Sequence, residues 1–172
     1  MAEVVAPFTI ETLSSRHDRS AIRCGVEPLD RYLAHQASQD VRRRVSACFV
    51  AVETGAQTVA GYYTLAASSI PLPDIASDTA RKLPRYPLVP AVRIGRLAVA
   101  EAHCGKGLGT ALLVDGMTRT VRAEIMAFAM VVDAKNDAAA AFYQHHGFVA
   151  FASAPRVLYL PLAEIARQLG AQ

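Results

Sequence analysis

Three glycines alternate with other residues in Cys104-Gly105-Lys106-Gly107-Leu108-Gly109, just after the apolar run Val92-Arg93-Ile94-Gly95-Arg96-Leu97-Ala98-Val99. A strand that empties into such a turn and then into a helix can bind phosphate. Glycine permits positive φ and lets the backbone approach a ligand closely. The first N–H groups of the following helix lack intrahelical acceptors, and the helix dipole adds positive potential there. The pattern alone also suits a plain tight turn between strand and helix. Two nucleotide sites fit poorly. A dinucleotide fingerprint wants glycine at its sixth place, where Thr110 stands, and an acid about 20 residues on at the end of a second strand. Glu124 precedes the next apolar run instead of closing it. A nucleoside-triphosphate loop must close on Gly-Lys-Ser/Thr, which this chain lacks.

A second block carries chemistry of its own. Met126-Ala127-Phe128-Ala129-Met130-Val131-Val132-Asp133 is apolar until its last residue, as strands covered on both faces tend to be. Asn136 to Phe148 then predicts a short helix. Asn136 is a good N-cap, Asp137 suits the first turn, Ala138 to Ala141 are strong helix formers, and Gly147 is a C-terminal stop. Phe142 and Tyr143 are adjacent and point about 100° apart on a helix, so one can anchor while the other faces a cleft.

In this order, with a strand between them, the two blocks resemble the GCN5-related N-acetyltransferases (GNAT). That family carries a turn Arg/Gln-x-x-Gly-x-Gly/Ala after its fourth strand, which cradles the pyrophosphate of acetyl-CoA. Here it falls on Cys104, Gly105, Lys106, Gly107, Leu108 and Gly109, with Thr110 next; Cys104 stands where the family has Arg or Gln, and Lys106 supplies charge in the loop. The later signature Asn-x-x-Ala-x-x-Phe-Tyr-x-x-x-Gly-Phe is met loosely by Asn136, the alanines, Phe142, Tyr143, Gly147 and Phe148. Further patches resemble the toxin branch of the family: Cys24-Gly25-Val26-Glu27-Pro28-Leu29-Asp30, Gly61-Tyr62-Tyr63-Thr64-Leu65, Pro84-Arg85-Tyr86-Pro87-Leu88-Val89-Pro90 and Arg96-Leu97-Ala98-Val99. The branch implies acetylation of the α-amino group of aminoacyl-tRNA, a block on translation, and a small ribbon-helix-helix antitoxin as neutralising partner. A second copy of the chain is a further candidate partner.

Acetyl transfer from a thioester to an amine needs a held cofactor, a neutral amine, stabilisation of the oxyanion and protonation of the departing thiolate. By resemblance, backbone groups of Leu97, Ala98 and Val99 meet the pantetheine arm, and an N–H there stabilises the oxyanion. Asn136 and Phe142 join the cofactor site, and Tyr143 is the general acid. A phenol with a pKa near 10 is protonated at neutral pH and can donate. His103, His145, His146 and Glu101 cluster near the motifs, but no general base is assigned. The α-amine of an aminoacyl ester is neutral in large part at pH 7–8, by analogy with chain termini.

Charge speaks to the substrate. The net charge is +3, but from Arg81 to Arg96 there are five cations (Arg81, Lys82, Arg85, Arg93, Arg96) and no acid, and Arg42-Arg43-Arg44 is a second block. Runs of like charge are commonly solvated faces. In a chain resembling a tRNA modifier they are candidate phosphate-backbone contacts, so Arg42, Arg43, Arg44, Arg85, Arg93 and Arg96 are expected at the RNA. Two other functions remain open: an acetyltransferase for a protein N-terminus, polyamine or drug, whose cationic substrates would want an acid-lined site, and a CoA-binding module without turnover.

Composition bounds the rest. The 172 residues are 52% hydrophobic, enough for one domain over 1–172 with a proper core. The expected fold is α/β: a mixed, mostly antiparallel sheet with splayed central strands and helices on both faces. No run approaches the roughly 18 apolar residues of a spanning helix. With Glu3 and no basic stretch at the start, a signal peptide is not expected. Cys24, Cys48 and Cys104 lack metal-ligand spacing and read as reduced cytosolic thiols, so no metal is expected and the cytoplasm is the expected compartment.

The elements that position these residues follow from periodicity and punctuation. Strands are predicted over 8–13, 46–53, 58–67, 91–99, 126–133, 148–151 and 156–160. Helices are predicted over 28–41, 72–83, 106–124 and 164–169, besides the one opened by Asn136. Residues 54–57 make a hairpin turn. Prolines at 84, 87 and 90 enforce an extended arm.

Overall fold

The computed structural model describes residues 7–170. Glu3, which bore on the signal-peptide expectation, lies outside them. The chain folds as two compact units, one of residues up to Leu65 with Arg96–Gly116, the other of Ala66–Gly95 with Met117 onward. The strands are β1 (Phe8–Thr12), β2 (Ala47–Glu53), β3 (Val59–Pro71), β4 (Leu88–Val99), β5 (Ala129–Asp133), β6 (Val149–Ala150) and β7 (Val157–Pro161). Their order is β1-β2-β3-β4-β5-β7-β6, with β4–β5 parallel and the outer pairs β1–β2, β2–β3, β5–β7 and β6–β7 antiparallel.

In the first unit, alternation along β2 sends Cys48, Val50 and Val52 into one apolar cluster with Tyr32 and Leu33 of α1 (Glu27–His35). The intervening face carries Ala51, which packs with Tyr63, Leu108 and Leu112, the last two from α4 (Leu108–Val121). Helices therefore cover both faces there, as period-two alternation in a doubly covered sheet demands. Gly61 on β3 has no room for a side chain, since a Cβ would stand 2.8 Å from the Ala98 carbonyl oxygen and 3.0 Å from Leu112.

In the second unit β5 is the spine. Ala129, Met130, Val131 and Val132 are fully buried, as expected of a central strand flanked by β4 and β7. Ile70, Ile75, Val89, Ala91 and Tyr159 complete that core.

Several elements differ from expectation. The helix predicted over 28–41 is two, α1 and α2 (Ala37–Arg42), because Gln36 leaves helical geometry at φ −121° and ψ −34°. Residues 72–83 form a 3₁₀ turn at Leu72–Asp74 and then the single-turn helix α3 (Ser77–Ala80). Pro73 has no N–H to give, and the Ala76 N–H is taken by the Tyr159 hydroxyl at 2.9 Å. β3 runs on to Pro71, and β4 starts at Leu88. β5 starts at Ala129, leaving Ile125 and Met126 largely exposed. α4 starts at Leu108 and not 106, because Gly107 before it has φ +78°.

Candidate active site

The glycine loop is built as its sequence demands. Gly105 and Gly107 both take φ +78°, a region L side chains rarely enter, and open space lies where their Cβ atoms would be. The Gly107 carbonyl accepts the N–H of Ala111 at 3.1 Å and so opens α4; the first amides of that helix begin at Leu108. Leu108 is buried and anchors the turn, while Cys104, Lys106 and Thr110 are exposed beside it. Lys106 Nζ donates to His103 Nδ1 at 3.3 Å. Cys104 Sγ donates to the Ala100 carbonyl at 3.5 Å, where the family has an Arg or Gln side chain. An exposed, cationic, glycine-bent loop at the head of a helix fits a diphosphate.

Strand alternation sorts the three backbone candidates on β4. The Arg96 N–H donates to Thr64 Oγ1 at 3.1 Å, the Ala100 N–H donates to the Ala60 carbonyl at 2.8 Å, and the Ala98 carbonyl crowds Gly61. Residues 96, 98 and 100 thus direct their backbone groups at β3. Leu97 and Val99 direct theirs to the opposite edge. The β4–β5 ladder spans only Ala91–Ile94 against Ala129–Val132 among the described residues, so Leu97 and Val99 lie beyond it.

The second block forms α5 (Asp137–His145). The Ala139 N–H donates to Asn136 Oδ1 at 2.8 Å, so that side chain caps its helix. Tyr143 is the buried member of the aromatic pair and Phe142 the half-buried one; their centroids are 5.2 Å apart, and Phe148 lies 5.6 Å from Tyr143. Burial, and then the negative charge of Asp133, push the Tyr143 phenol up to about 12. It is fully protonated at neutral pH. His146 is pushed down from the usual histidine range by burial and then by His145.

The arginines part company. Arg43 and Arg96 line a cavity of about 510 Å³ with Arg31, His35, Gln36 and Gln39, and no carboxylate lines it. The Arg96 guanidinium lies 3.6 Å above the centroid of the Tyr32 ring, a cation–π stack that fixes its direction. Tyr32 is held in turn by donating to Asp40 at 2.9 Å. Arg42 and Arg44 are exposed outside that cavity, and Arg85 is exposed beside Leu72, Ile75 and Arg81. Arg93 is ion-paired with Asp133. Sequence reasoning missed Arg31, Tyr32, His35 and Gln39, although Arg31, His35, Gln39 and Arg43 recur every four residues, the spacing of one helical stripe. Among the described residues no group of three or more His, Cys, Asp or Glu could hold a metal ion, and no helix is long and apolar enough to cross a membrane.

With a glycine-bent loop heading α4 and an Asn-capped helix carrying Phe142-Tyr143, residues 44–150 match the acetyltransferase (GNAT) domain, and the chain belongs to that family. Among its relatives is the tRNA-acetylating toxin of Mycobacterium tuberculosis (strain ATCC 25618 / H37Rv), 33% identical over 160 residues that cover 92% of this chain and 94% of the relative. Another is AtaT. Its structure complexed with acetyl-methionyl-tRNAfMet is 26% identical, covers 94% of this chain and 99% of its own, and superimposes with a TM-score of 0.88. The structure of AtaTR bound with acetyl-CoA is 26% identical, covers 95% of this chain and 98% of its own, and gives a TM-score of 0.81. A mutant AtaT bound to the C-terminus of the antitoxin AtaR gives 25% identity, 97% and 100% coverage, and the same TM-score of 0.81.

Proposed function

We propose that the protein is a toxin that transfers the acetyl group of acetyl-CoA to the α-amino group of aminoacyl-tRNA, and so stops translation in the cytoplasm. The glycine loop from Gly105 to Thr110, with Lys106, holds the diphosphate of acetyl-CoA, which supplies the acetyl thioester. The Leu97 or Val99 amide donates to the carbonyl oxygen as negative charge gathers there. The neutral amine forms the new C–N bond as the C–S bond breaks. The proton shed by the amine goes to solvent, and the sulfur takes its hydrogen bond from Tyr143. A ribbon-helix-helix antitoxin neutralises the enzyme by covering its cationic surface, and a second copy of the chain is a further partner to be sought.

The observation that carries the RNA assignment is the cavity of Arg31, His35, Arg43 and Arg96. Arg31 there is ion-paired with Glu27, so it is Arg43 and Arg96, with no carboxylate among the described lining residues, that disfavour polyamines and aminoglycosides and attract phosphodiesters. Incubation with labelled acetyl-CoA and either charged or uncharged tRNA tests it. Label is expected in the charged pool alone. Label in neither pool, or rapid turnover of a small amine without RNA, overturns it.

A further inference from the structure

Tyr32 on α1 and Asp40 on α2 are joined by a hydrogen bond, the phenol donating to Oδ2 at 2.9 Å. Along one continuous helix the two residues would stand about 12 Å apart, at a rise of roughly 1.5 Å per residue. The break at Gln36 closes that distance. There α1 ends in the bond from the Gln36 N–H to the Tyr32 carbonyl, and α2 opens in the bond from the Asp40 N–H to the Gln36 carbonyl. The Asp40 backbone is engaged as well. Its carbonyl accepts the Val45 N–H at 2.9 Å, across a turn in which Arg44 takes φ +59°. Tyr32 itself is buried, with the Tyr62 ring nearly parallel at 6.3 Å, and Tyr62 donates to the Leu29 carbonyl at 2.6 Å. The Arg96 guanidinium rests on this fixed ring, 3.6 Å from its centroid, in the recess that Arg43 also lines. Tyr32, Gln36, Asp40, Arg43 and Arg96 all belong to the first unit.

Resting on the RNA reading of that recess, we propose that Asp40 and Tyr32 are positioning residues for tRNA. Asp40 locks the Tyr32 ring across the α1–α2 break, and the locked ring holds the Arg96 guanidinium ready for a phosphodiester. An arginine that rotates freely before binding loses that freedom on contact, which weakens the complex; one already stacked on a fixed ring loses less. The acid thus helps to hold a polyanion, the reverse of what its own charge does through space. A positioning Asp40 and a merely electrostatic one therefore respond oppositely to the same substitution.

The test measures binding of aminoacyl-tRNA, without acetyl-CoA, by fluorescence anisotropy at about 50 to 200 mM salt. It compares wild type with Asp40→Ala, Asp40→Asn, Tyr32→Phe, Arg96→Gln and the double variant Asp40→Ala/Arg96→Gln. In parallel, ¹H–¹⁵N NMR without RNA follows the Arg96 Nε–H resonance, assigned by its loss in Arg96→Gln and expected upfield because it lies over a ring face. Asp40→Ala is expected to weaken tRNA binding about two- to tenfold, the effect of freeing one long side chain, and to move the Arg96 resonance downfield. Asp40→Asn keeps an oxygen that accepts from the phenol and sheds a negative charge, so it binds at least as tightly as wild type. Tyr32→Phe keeps the ring and its packing but loses the clasp, and gives the same defect as Asp40→Ala. It decides the matter if Asp40→Ala fails to fold, with acetyl-CoA affinity by calorimetry as the measure of an intact fold. The double variant binds no more weakly than Arg96→Gln, because the clasp acts through Arg96. Tighter binding by Asp40→Ala, or a double variant whose defect is the product of the single ones, would overturn the proposal. So would an Arg96 resonance that stays in place in both Asp40→Ala and Tyr32→Phe. A wild-type protein with the ring-shifted resonance but no uptake of tRNA would overturn the RNA reading of the recess and the positioning role with it, while the NMR would still show the clasp.

Discussion

Replacing Tyr143 by Phe removes one oxygen and keeps the ring contacts to Phe142 and Phe148. Its effect can be worked from the site. The phenol is pushed up to about 12 by burial and by Asp133. An unperturbed thiol titrates near 8.5, so complete proton transfer to a free thiolate would run uphill by about 3.5 units, or roughly 5 kcal/mol. Tyr143 in this environment is a strong hydrogen-bond donor to sulfur more than a completed proton source. A hydrogen bond to a charged group is worth roughly 1.5–3 kcal/mol, which predicts a kcat loss of about 10- to 150-fold. Both KM values should stay within about twofold, since the bond strengthens only as charge develops. Because the proton is retained to about pH 12, kcat should show no alkaline limb from this group below pH 10. Initial rates with aminoacyl-tRNA and acetyl-CoA, from pH 6 to 10, measure all of this. An unchanged kcat, or a defect confined to KM, would refute the role of Tyr143. A loss beyond about 10³ would refute the hydrogen-bond magnitude and point to full general-acid transfer.

Two glycines should respond differently to alanine. Gly107→Ala meets no neighbour and bears only the strain of φ +78°, so it should lower the melting temperature by a few degrees, about 1 kcal/mol, while weakening acetyl-CoA binding measured by calorimetry. Gly61→Ala drives a Cβ to 2.8 Å from the Ala98 carbonyl oxygen, so it should be the more destabilising of the two; equal melting temperatures would contradict the packing. Alkali should unfold the protein early. Burial pushes the Cys48 thiol from 9 up to about 12, and burial with Asp40 pushes the Tyr32 phenol up to about 12. The folded state therefore holds these protons, and that of Tyr143, more tightly than the unfolded chain does. Their contribution is whole below about pH 9 and is lost as pH rises toward 12, so urea midpoints should be level from pH 6 to 8.5 and fall above 9. Midpoints constant to pH 11 would disprove it. Finally, Arg43→Gln should weaken tRNA binding and flatten its salt dependence by about one unit of slope; an unaltered slope would remove Arg43 from the RNA.

How much was legible in the sequence varied with the range of the interaction responsible. Gly105 and Gly107 were readable because a bend of that kind is a property of the residues themselves, and Asn136 because capping is a bond three residues long. The breaks were less so. Pro28 marks the start of α1 plainly, but nothing local marks Gln36, where the turn to α2 carries Ala37 into the same core as Leu33. Residues 72–83 looked helical until Tyr159, distant in sequence, claimed the Ala76 N–H. Pro90 reads as part of an extended arm before the strand, and the structure takes it into β4, one residue before the β4–β5 pairing begins, where its carbonyl accepts from the Phe128 N–H at 2.8 Å. The arginines were the hardest. Their charge is visible in the chain, but Asp133, 40 residues from Arg93, decides what that charge faces.

The interleaving of the two units along the chain bears on how the protein is born. The first unit needs Arg96–Gly116 to be whole, and 50 residues lie between Leu65 and Gly116. At the pace of a ribosome, roughly 5–20 residues per second, the nascent β1–β2–β3 meander waits about 3 to 10 s for the partner that covers β3. A meander with an open, apolar margin is a template for wrong pairing during that interval. Synonymous-codon changes that slow elongation between Leu65 and Gly116 should therefore lower the yield of active enzyme without altering a single residue of it.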